Sequence, residues 1–329
     1  MNWGILGHEW AVQLLHAQLV QGRSKQAYMF TGPPGIGRRT LALSLAQAIN
    51  CLQPPEPMTP CLTCRSCLQF QNMKHPDLII TQADQVGGVL KVDQIRDIQH
   101  RLALAPYVAQ YKVALFLRFE EAHASAANAL LKTLEEPPER VIIMLTAPSS
   151  ESVLPTIASR CEVIRLRPLP YTQVENGLVA GWDIPVEEAH LLGHISGGRP
   201  GYALRLSRNE VLLEQRQGWL DDLVHLLFSK RVARFAYAET LTKDKNLPLA
   251  DVLQTWLAYW RDILLLTTGS GSLLANIDRQ AEMEQLAGQL SIQTARKVIQ
   301  AAENTLQLLG KNANPRLALE VLMLDLPFC

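Results

Sequence analysis

Four of the six cysteines fall between residues 51 and 67, and the spacing of Cys51, Cys61, Cys64 and Cys67 is C-x9-C-x2-C-x2-C. The last three are close enough for a tight knuckle, and Cys51 supplies a fourth thiolate from the end of the preceding helix. Four soft sulfurs suit tetrahedral Zn²⁺, and a site with no open coordination position is structural. The N-terminus MNWGILGHEW has no basic region followed by an apolar stretch, so the clustering speaks for a metal over disulfides. Cys161 and Cys329 stand apart, and His75, in HPDLII, reads as a strand entrance.

A second chemical pattern is the loop GPPGIGRRT, Gly32 to Thr40. A hydrolysing phosphate loop reads G-x-x-x-x-G-K-[ST] between a strand and a helix. Its glycines let backbone N–H groups converge on phosphate, its lysine meets the outer phosphates, and its hydroxyl ligates Mg²⁺. Gly32, Gly35 and Gly37 are in place, but Arg38 takes the lysine position and Arg39 the hydroxyl position. Thr40 is one helical step further, rotated by about 100°, which carries its hydroxyl away from the metal. Guanidinium is planar and bulkier than ammonium, so the exchange at 38 is not conservative. A hydrolysing site also needs an acidic pair at the end of the strand that begins KVAL, and Leu117 and Arg118 stand there. Glu120 and Glu121 follow and read as surface acids. These losses predict a loop kept as a structural turn, with ATP not hydrolysed at this chain's own site.

The elements that must position these residues follow from the apolar pattern. AYMF (27–30), DLII (77–80), VALFLR (113–118), VIIMLT (141–146) and EVIRL (162–166) read as buried parallel strands with both faces apolar, alternating with amphipathic helices in a doubly wound arrangement. Pro168 and Pro170 break the pattern; residues 171 to about 208 read as a small module of two or three helices with a Gly-rich turn at ISGGRPGYAL. Beyond Ser207 the chain reads as wholly helical. Val252, Trp256, Trp260 and Ile263 recur at helical spacing, as do Val298, Ala302, Leu306 and Leu309, while NANP at 312–315 starts a last helix. Trp219, Trp256 and Trp260 read as core.

Lys+Arg and Asp+Glu both number 31, so no global field draws the chain to nucleic acid or a membrane. No apolar run approaches the ~20 residues of a membrane span, which together with the N-terminus predicts a cytoplasmic protein without membrane partners. A zinc-dependent nucleic-acid-binding module is disfavoured, because Arg65 and Lys74 stand isolated and no aromatics interleave with them.

Three further strings, NALLKTLEEPPER (128–140), LPTIASRCEVIRL (154–166) and NANPRLALEVL (312–322), join AYMFTGPPGIG in a resemblance that covers nearly the whole chain. It resembles bacterial DNA polymerase III clamp-loader subunits of the AAA+ family, the delta-prime type above all. The resemblance implies an AAA+ P-loop module over 1–170 with a five-stranded parallel sheet and the zinc module at 51–67. A small helical lid over 171–208 and an all-α collar that oligomerises over 209–329 complete the expected fold. It further implies that Arg160, the SRC arginine, is an arginine finger for a neighbour's ATP site, worth ~10³–10⁵ in rate where such fingers act. Thr146 falls at the sensor-1 polar position, and Gly201 at the place where motor subunits carry a sensor-2 arginine, with Arg199 two residues early. The implied partners are motor subunits and a delta subunit in a five-membered ring, the sliding clamp, and primed DNA reached through the assembly. The alternative is an ATP-hydrolysing motor subunit of the gamma/tau type in which Arg38 does the work of lysine.

Overall fold

The computed structural model describes residues 3–244, 247–310 and 313–328; Asn312, which opens the NANP string, and Cys329 lie outside them. The chain divides into two compact units, one of Met1–Gly177 with Arg199–Tyr202 and one of Leu178–Gly198 with Ala203–Cys329.

In the first unit, β1 (Ala27–Thr31), β2 (Leu78–Thr81), β3 (Lys112–Phe116), β4 (Val141–Ala147) and β5 (Glu162–Arg165) form one parallel sheet in the order β2-β3-β4-β1-β5. The period of two along each strand divides the core. Tyr28, Phe30, Val113, Leu115 and Met144 pack on one face with Leu15 and Leu45. Met29, Ala114, Phe116, Ile143 and Leu145 pack on the other with Ile95 and Leu130. The helices that cover the sheet are α1 (Glu9–Val20), α2 (Arg38–Asn50), α3 (Arg65–Gln71), α4 (Val92–Leu102), α5 (Ala124–Glu135) and α6 (Pro155–Ala158). This is the α/β module with a five-stranded parallel sheet that the sequence predicts. Connections leave β1 and β4 in opposite directions, which makes the crevice beyond their C-terminal ends the natural ligand site of such a sheet.

Two expectations about the strands need correction. β5 is not buried on both faces: it is an edge strand, and Val163 is 39% exposed. β3 ends at Phe116, because Arg118 turns the chain through a left-handed conformation (φ 51°) that no strand continues.

Loops of this unit are pinned by buried polar groups. Asp77, 1% exposed, accepts the backbone N–H groups of Tyr107 (2.6 Å), Val108 (2.8 Å) and Ala109 (2.8 Å). Nearby, Lys112 Nζ donates to the carbonyls of Arg101 (2.9 Å) and Leu104 (2.7 Å), and Asn50 Oδ1 accepts the Tyr111 N–H at 2.8 Å.

The helices that follow β5 are α7 (Tyr171–Trp182), α8 (Val186–Ile195), α9 (Pro200–Ser207), α10 (Glu210–Leu227), α11 (Arg231–Lys243), α12 (Leu249–Thr267), α13 (Gln280–Gln289), α14 (Ile292–Gly310) and α15 (Pro315–Asp325). The second unit buries Trp256, Trp260, Ile263, Val298, Ala302 and Leu322 in one core, with Trp219, Leu306 and Leu309 packed partly buried against it. Arg234, 4% exposed, donates to the carbonyls of Leu226, Leu227, Met323, Leu326 and Pro327, so one guanidinium satisfies the ends of both α10 and α15. Asn314 caps α15 through the N–H groups of Arg316 (3.0 Å) and Leu317 (3.3 Å), with Pro315 in the first turn. No helix among the described residues is long and apolar enough to cross a membrane.

Burial pushes the Asp77 carboxyl upward, but the three N–H donors and His75 outweigh it and hold the group below its ordinary value. A carboxyl whose folded value is depressed stabilises the fold above its unfolded value and loses that contribution as pH falls through the folded one. Asp77→Asn is therefore expected to cost about 2 kcal/mol at neutral pH in urea unfolding, and the gap to the parent chain to close below about pH 4.

Candidate functional site

β1 delivers the chain into the glycine loop at the crevice end of the sheet. Gly32 has φ 141°, and a Cβ there would lie 2.6 Å from the Leu166 carbonyl oxygen, so only glycine fits; its N–H donates to the Pro148 carbonyl at 3.0 Å. Gly35 (φ 82°) meets the first turn of α9: the Gly201 N–H donates to the Gly35 carbonyl at 2.8 Å, and a Cβ on Gly35 would lie 2.8 Å from the Tyr202 nitrogen. Gly37 (φ 112°) caps α2. A third tie comes from His8, 2% exposed, whose Nε2 lies 3.0 Å from the Ile36 carbonyl and so carries the proton. Burial lowers the His8 value, against the opposing pull of that carbonyl and of Glu9, which favours a neutral ring.

Arg38 is half-buried. Desolvation lowers its guanidinium value while the Glu120 carboxylate raises it, and burial raises Glu120 in turn while Arg38 opposes. Arg38 Nη1 and Glu120 Oε2 are both buried without a hydrogen-bond partner among the described residues. The acids are thus not at the surface as expected. Glu120 is half-buried beside the arginine that fills the lysine position. Glu121, its side chain 10% exposed, accepts from Arg118 Nε at 2.9 and 3.0 Å and from the Gly87 N–H at 2.8 Å. The left-handed turn at Arg118 leads into one short helical turn, Phe119–Glu121, that sets these contacts. Arg39 and Thr40 are exposed and line a cavity of about 240 Å³ shared with Trp3, Ser44 and Gln71.

Arg118, where a metal-holding acid would stand, also donates from Nη1 to Gln82 Oε1 at 3.0 Å. Thr146, 3% exposed, accepts the Arg118 N–H at 3.0 Å, and its hydroxyl lies 3.5 Å from the Phe116 carbonyl. The sensor-1-like hydroxyl therefore ties the end of β3 to β4.

Cys51 caps the C-terminal end of α2, Cys61 and Cys64 bracket a turn, and Cys67 lies in α3. The four sulfurs lie within 4.8 Å of one another. A tetrahedron with Zn–S bonds of ~2.3 Å has edges of about 3.8 Å, near the 4.0 Å between the Cys61 and Cys67 sulfurs. Backbone N–H groups of Cys61, Cys64 and Cys67 donate to the sulfurs of Cys51 (3.3 Å), Cys61 (3.2 Å) and Cys64 (3.4 Å). Burial pushes the Cys51 and Cys67 thiols up, the direction that a bound cation would reverse. Burial acts the same way on Cys61, yet the N–H groups of Cys64 and Thr63 help draw its thiol down to about 6. His75 stays outside the cluster: its ring stacks on Phe70 at 4.1 Å, and its Nδ1 accepts the Asp77 N–H at 3.1 Å. Arg65 and Lys74 line one shallow cleft with Leu68, Gln69 and Asn72, with no aromatic among its lining residues.

Arg160 follows α6. Its Nε donates to Glu135 Oε1 at 2.9 Å, its Nη2 to the same oxygen, and its Nη1 to the Thr156 carbonyl at 2.8 Å. The side chain is 33% exposed and lines a cleft of about 470 Å³ with Lys25, Glu135 and Glu162. Burial alone pushes the neighbouring Cys161 thiol up to about 12, so it is unreactive.

Sequence reasoning missed two of these groups, His8 and Glu135, and misplaced a third, Glu120. His8 and Glu120 act through contacts far along the chain, with no local signature. Glu135 stands inside the LEEPP string, and its partner is set only by tertiary structure.

The first unit is thus a parallel α/β module with a glycine loop and a four-cysteine cluster, and the second is a helical body. Residues 7–170 match the family model described as DNA polymerase III, delta subunit, and residues 210–327 match that described as DNA polymerase III, delta subunit, C terminal. The chain is 33% identical to the DNA polymerase III subunit delta' of Pseudomonas aeruginosa over 252 residues, covering 75% of this chain and 74% of that one. It is 29% identical to the delta' subunit of Bacillus subtilis, covering 96% and 94% of the two chains. Identity to the Bacillus subtilis tau subunit is also 29%, over 96% of this chain, which spans 60% of tau's length. The chain belongs to the DNA polymerase III delta' subunit family.

Proposed function

We propose that this chain is a non-hydrolysing delta-prime-type subunit of the DNA polymerase III clamp loader. In this reading it works in the cytoplasm, completes a five-membered ring with motor subunits and a delta subunit, and helps ATP-dependent loading of the sliding clamp onto primed DNA. Residues 1–170 form its AAA+ module, 171–208 a lid, and 209–329 a collar that joins the ring. It takes no catalytic step at its own loop and supplies Arg160 to the ATP site of a neighbour.

The observation that carries this reading is a contrast between two places on one domain. At the loop, arginines stand where lysine, hydroxyl and acid are needed, and Arg118 is bound to Glu121. At the cleft, Arg160 has three of its five N–H groups engaged, which leaves one on each terminal nitrogen for a ligand. Such a planar two-donor edge suits phosphoryl oxygens, whose charge in the transition state it stabilises. Support for the collar role comes from α15. Leu317, Val321 and Leu324, with Phe328 just beyond, are 51–70% exposed at the 4-3-4 spacing of a helix-packing seam, opposite the buried Leu319, Leu322 and Met323.

The cysteine cluster fits one structural Zn²⁺ held by Cys51, Cys61, Cys64 and Cys67. Bound there, the ion staples the end of α2 to the start of α3, and no thiolate is left for chemistry.

Two results test the reading. In the reconstituted loader, Arg160→Ala is expected to lower DNA-stimulated ATP turnover at least about a thousandfold at the affected neighbour's site, with ring assembly intact; unchanged turnover there would sink the finger assignment. The purified chain is expected to carry one zinc by metal analysis, and Cys64→Ser to drop this well below one and lower Tm; full zinc occupancy in the variant would exclude the four-sulfur site.

A further inference from the structure

We propose that Glu135 is a positioning residue for Arg160, holding the guanidinium in the one orientation that offers its two remaining donors to a neighbour. This rests on the reading of Arg160 as a finger acting in trans.

Glu135 is the last residue of α5, and Glu136 follows it directly. A carboxylate at the C-terminal end of a helix faces the negative end of the helix dipole and the unpaired carbonyls of the last turn, so local structure disfavours an acid there. What offsets that cost is Arg160, which comes from 25 residues further along the chain. Its Nε and Nη2 both donate to Glu135 Oε1.

Arg160 has little else to hold it. It follows a four-residue helix and precedes the edge strand β5, where one flank of the sheet is open. A long side chain in such a place samples many rotamers, and a finger that must be ordered at each turnover acts weakly. Glu135 takes the Nε/Nη2 edge of the guanidinium, and the Thr156 carbonyl takes one Nη1 hydrogen at 2.8 Å. Two fixed points define the plane of the group, and one N–H on each terminal nitrogen stays available. The cleft of about 470 Å³ is where a neighbour's phosphoryl group would be met. Both Glu135 and Arg160 stay partly exposed, at 50% and 33%, so their pairing is not needed to fill the core.

The opposite role for the same contact is a parking bond that keeps the arginine from its target. The two roles predict opposite signs. The experiment is DNA-stimulated ATPase of the reconstituted loader carrying Glu135→Ala, Glu135→Gln, Arg160→Ala, or Glu135→Ala with Arg160→Ala, with ring assembly and Tm of each variant measured alongside. Positioning predicts that Glu135→Ala lowers kcat about fivefold or more, with KM for ATP and ring assembly unchanged. It also predicts that the double variant is no slower than Arg160→Ala alone, because the two residues act as one unit. A merely structural glutamate would instead lower Tm and assembly, and its effect would multiply with that of Arg160→Ala. If Glu135→Ala does not fold, Glu135→Gln, which keeps the size and loses the charge, is read in its place. A kcat that is unchanged or raised in the Glu135 variants, while Arg160→Ala lowers it, overturns the proposal and leaves the finger standing. An unchanged kcat in Arg160→Ala removes the finger, and this inference with it.

Discussion

The hydrogen bond from the Gly201 N–H to the Gly35 carbonyl is the constraint on which the phosphate loop's present form depends. A phosphate loop is a run of backbone groups with few internal partners, and in a working site the nucleotide completes it. Here contacts within the unit hold the loop backbone in shape. Gly35 is tied to Gly201, Ile36 to His8, and Gly32 to Pro148, while the Leu166 carbonyl closes over Gly32. These contacts draw on the first turn of α9, the residue before α1 and the turns after β4 and β5, so the loop gathers the distant parts of its unit around one point.

The same logic extends to the charges beneath it. Arg38 and Glu120 are both half-buried, and each favours the charged form of the other, while Arg38 Nη1 and Glu120 Oε2 have no hydrogen-bond partner among the described residues. Arg118 and Glu121 form an ion pair just after β3. A domain of the proposed kind, which does no chemistry at its own loop, keeps its outer edge for another role. On the proposed reading that role is Arg160, set on a rigid sheet whose geometry no longer has to change with nucleotide state.

Much of this was legible in the sequence. Short apolar runs separated by amphipathic helices determine a doubly wound sheet, and Trp256 and Trp260, one helical turn apart, fall in the helical core with Trp219 of another helix packed against it. The four cysteines were legible because ligand spacing is local, and the glycine loop because its turns, at φ of 82°, 112° and 141°, need residues without a side chain. What escaped was non-local. Glu120 and Glu121 look like a solvated pair after a strand until the left-handed turn at Arg118 and the short helical turn after it set their contacts. The exposure of Val163 depends on β5 lying at the sheet's edge, which no property of EVIRL announces. His8 and Glu135 owe their importance to partners 28 and 25 residues away.

The central claim is that this chain's own loop does no nucleotide chemistry. The most direct measurement is ATP binding and turnover by the purified chain, with and without Mg²⁺, by calorimetry and phosphate release. The account predicts no turnover and no tightening of binding when Mg²⁺ is added. Binding that tightens with Mg²⁺, together with phosphate release that disappears in Arg38→Ala, would contradict it.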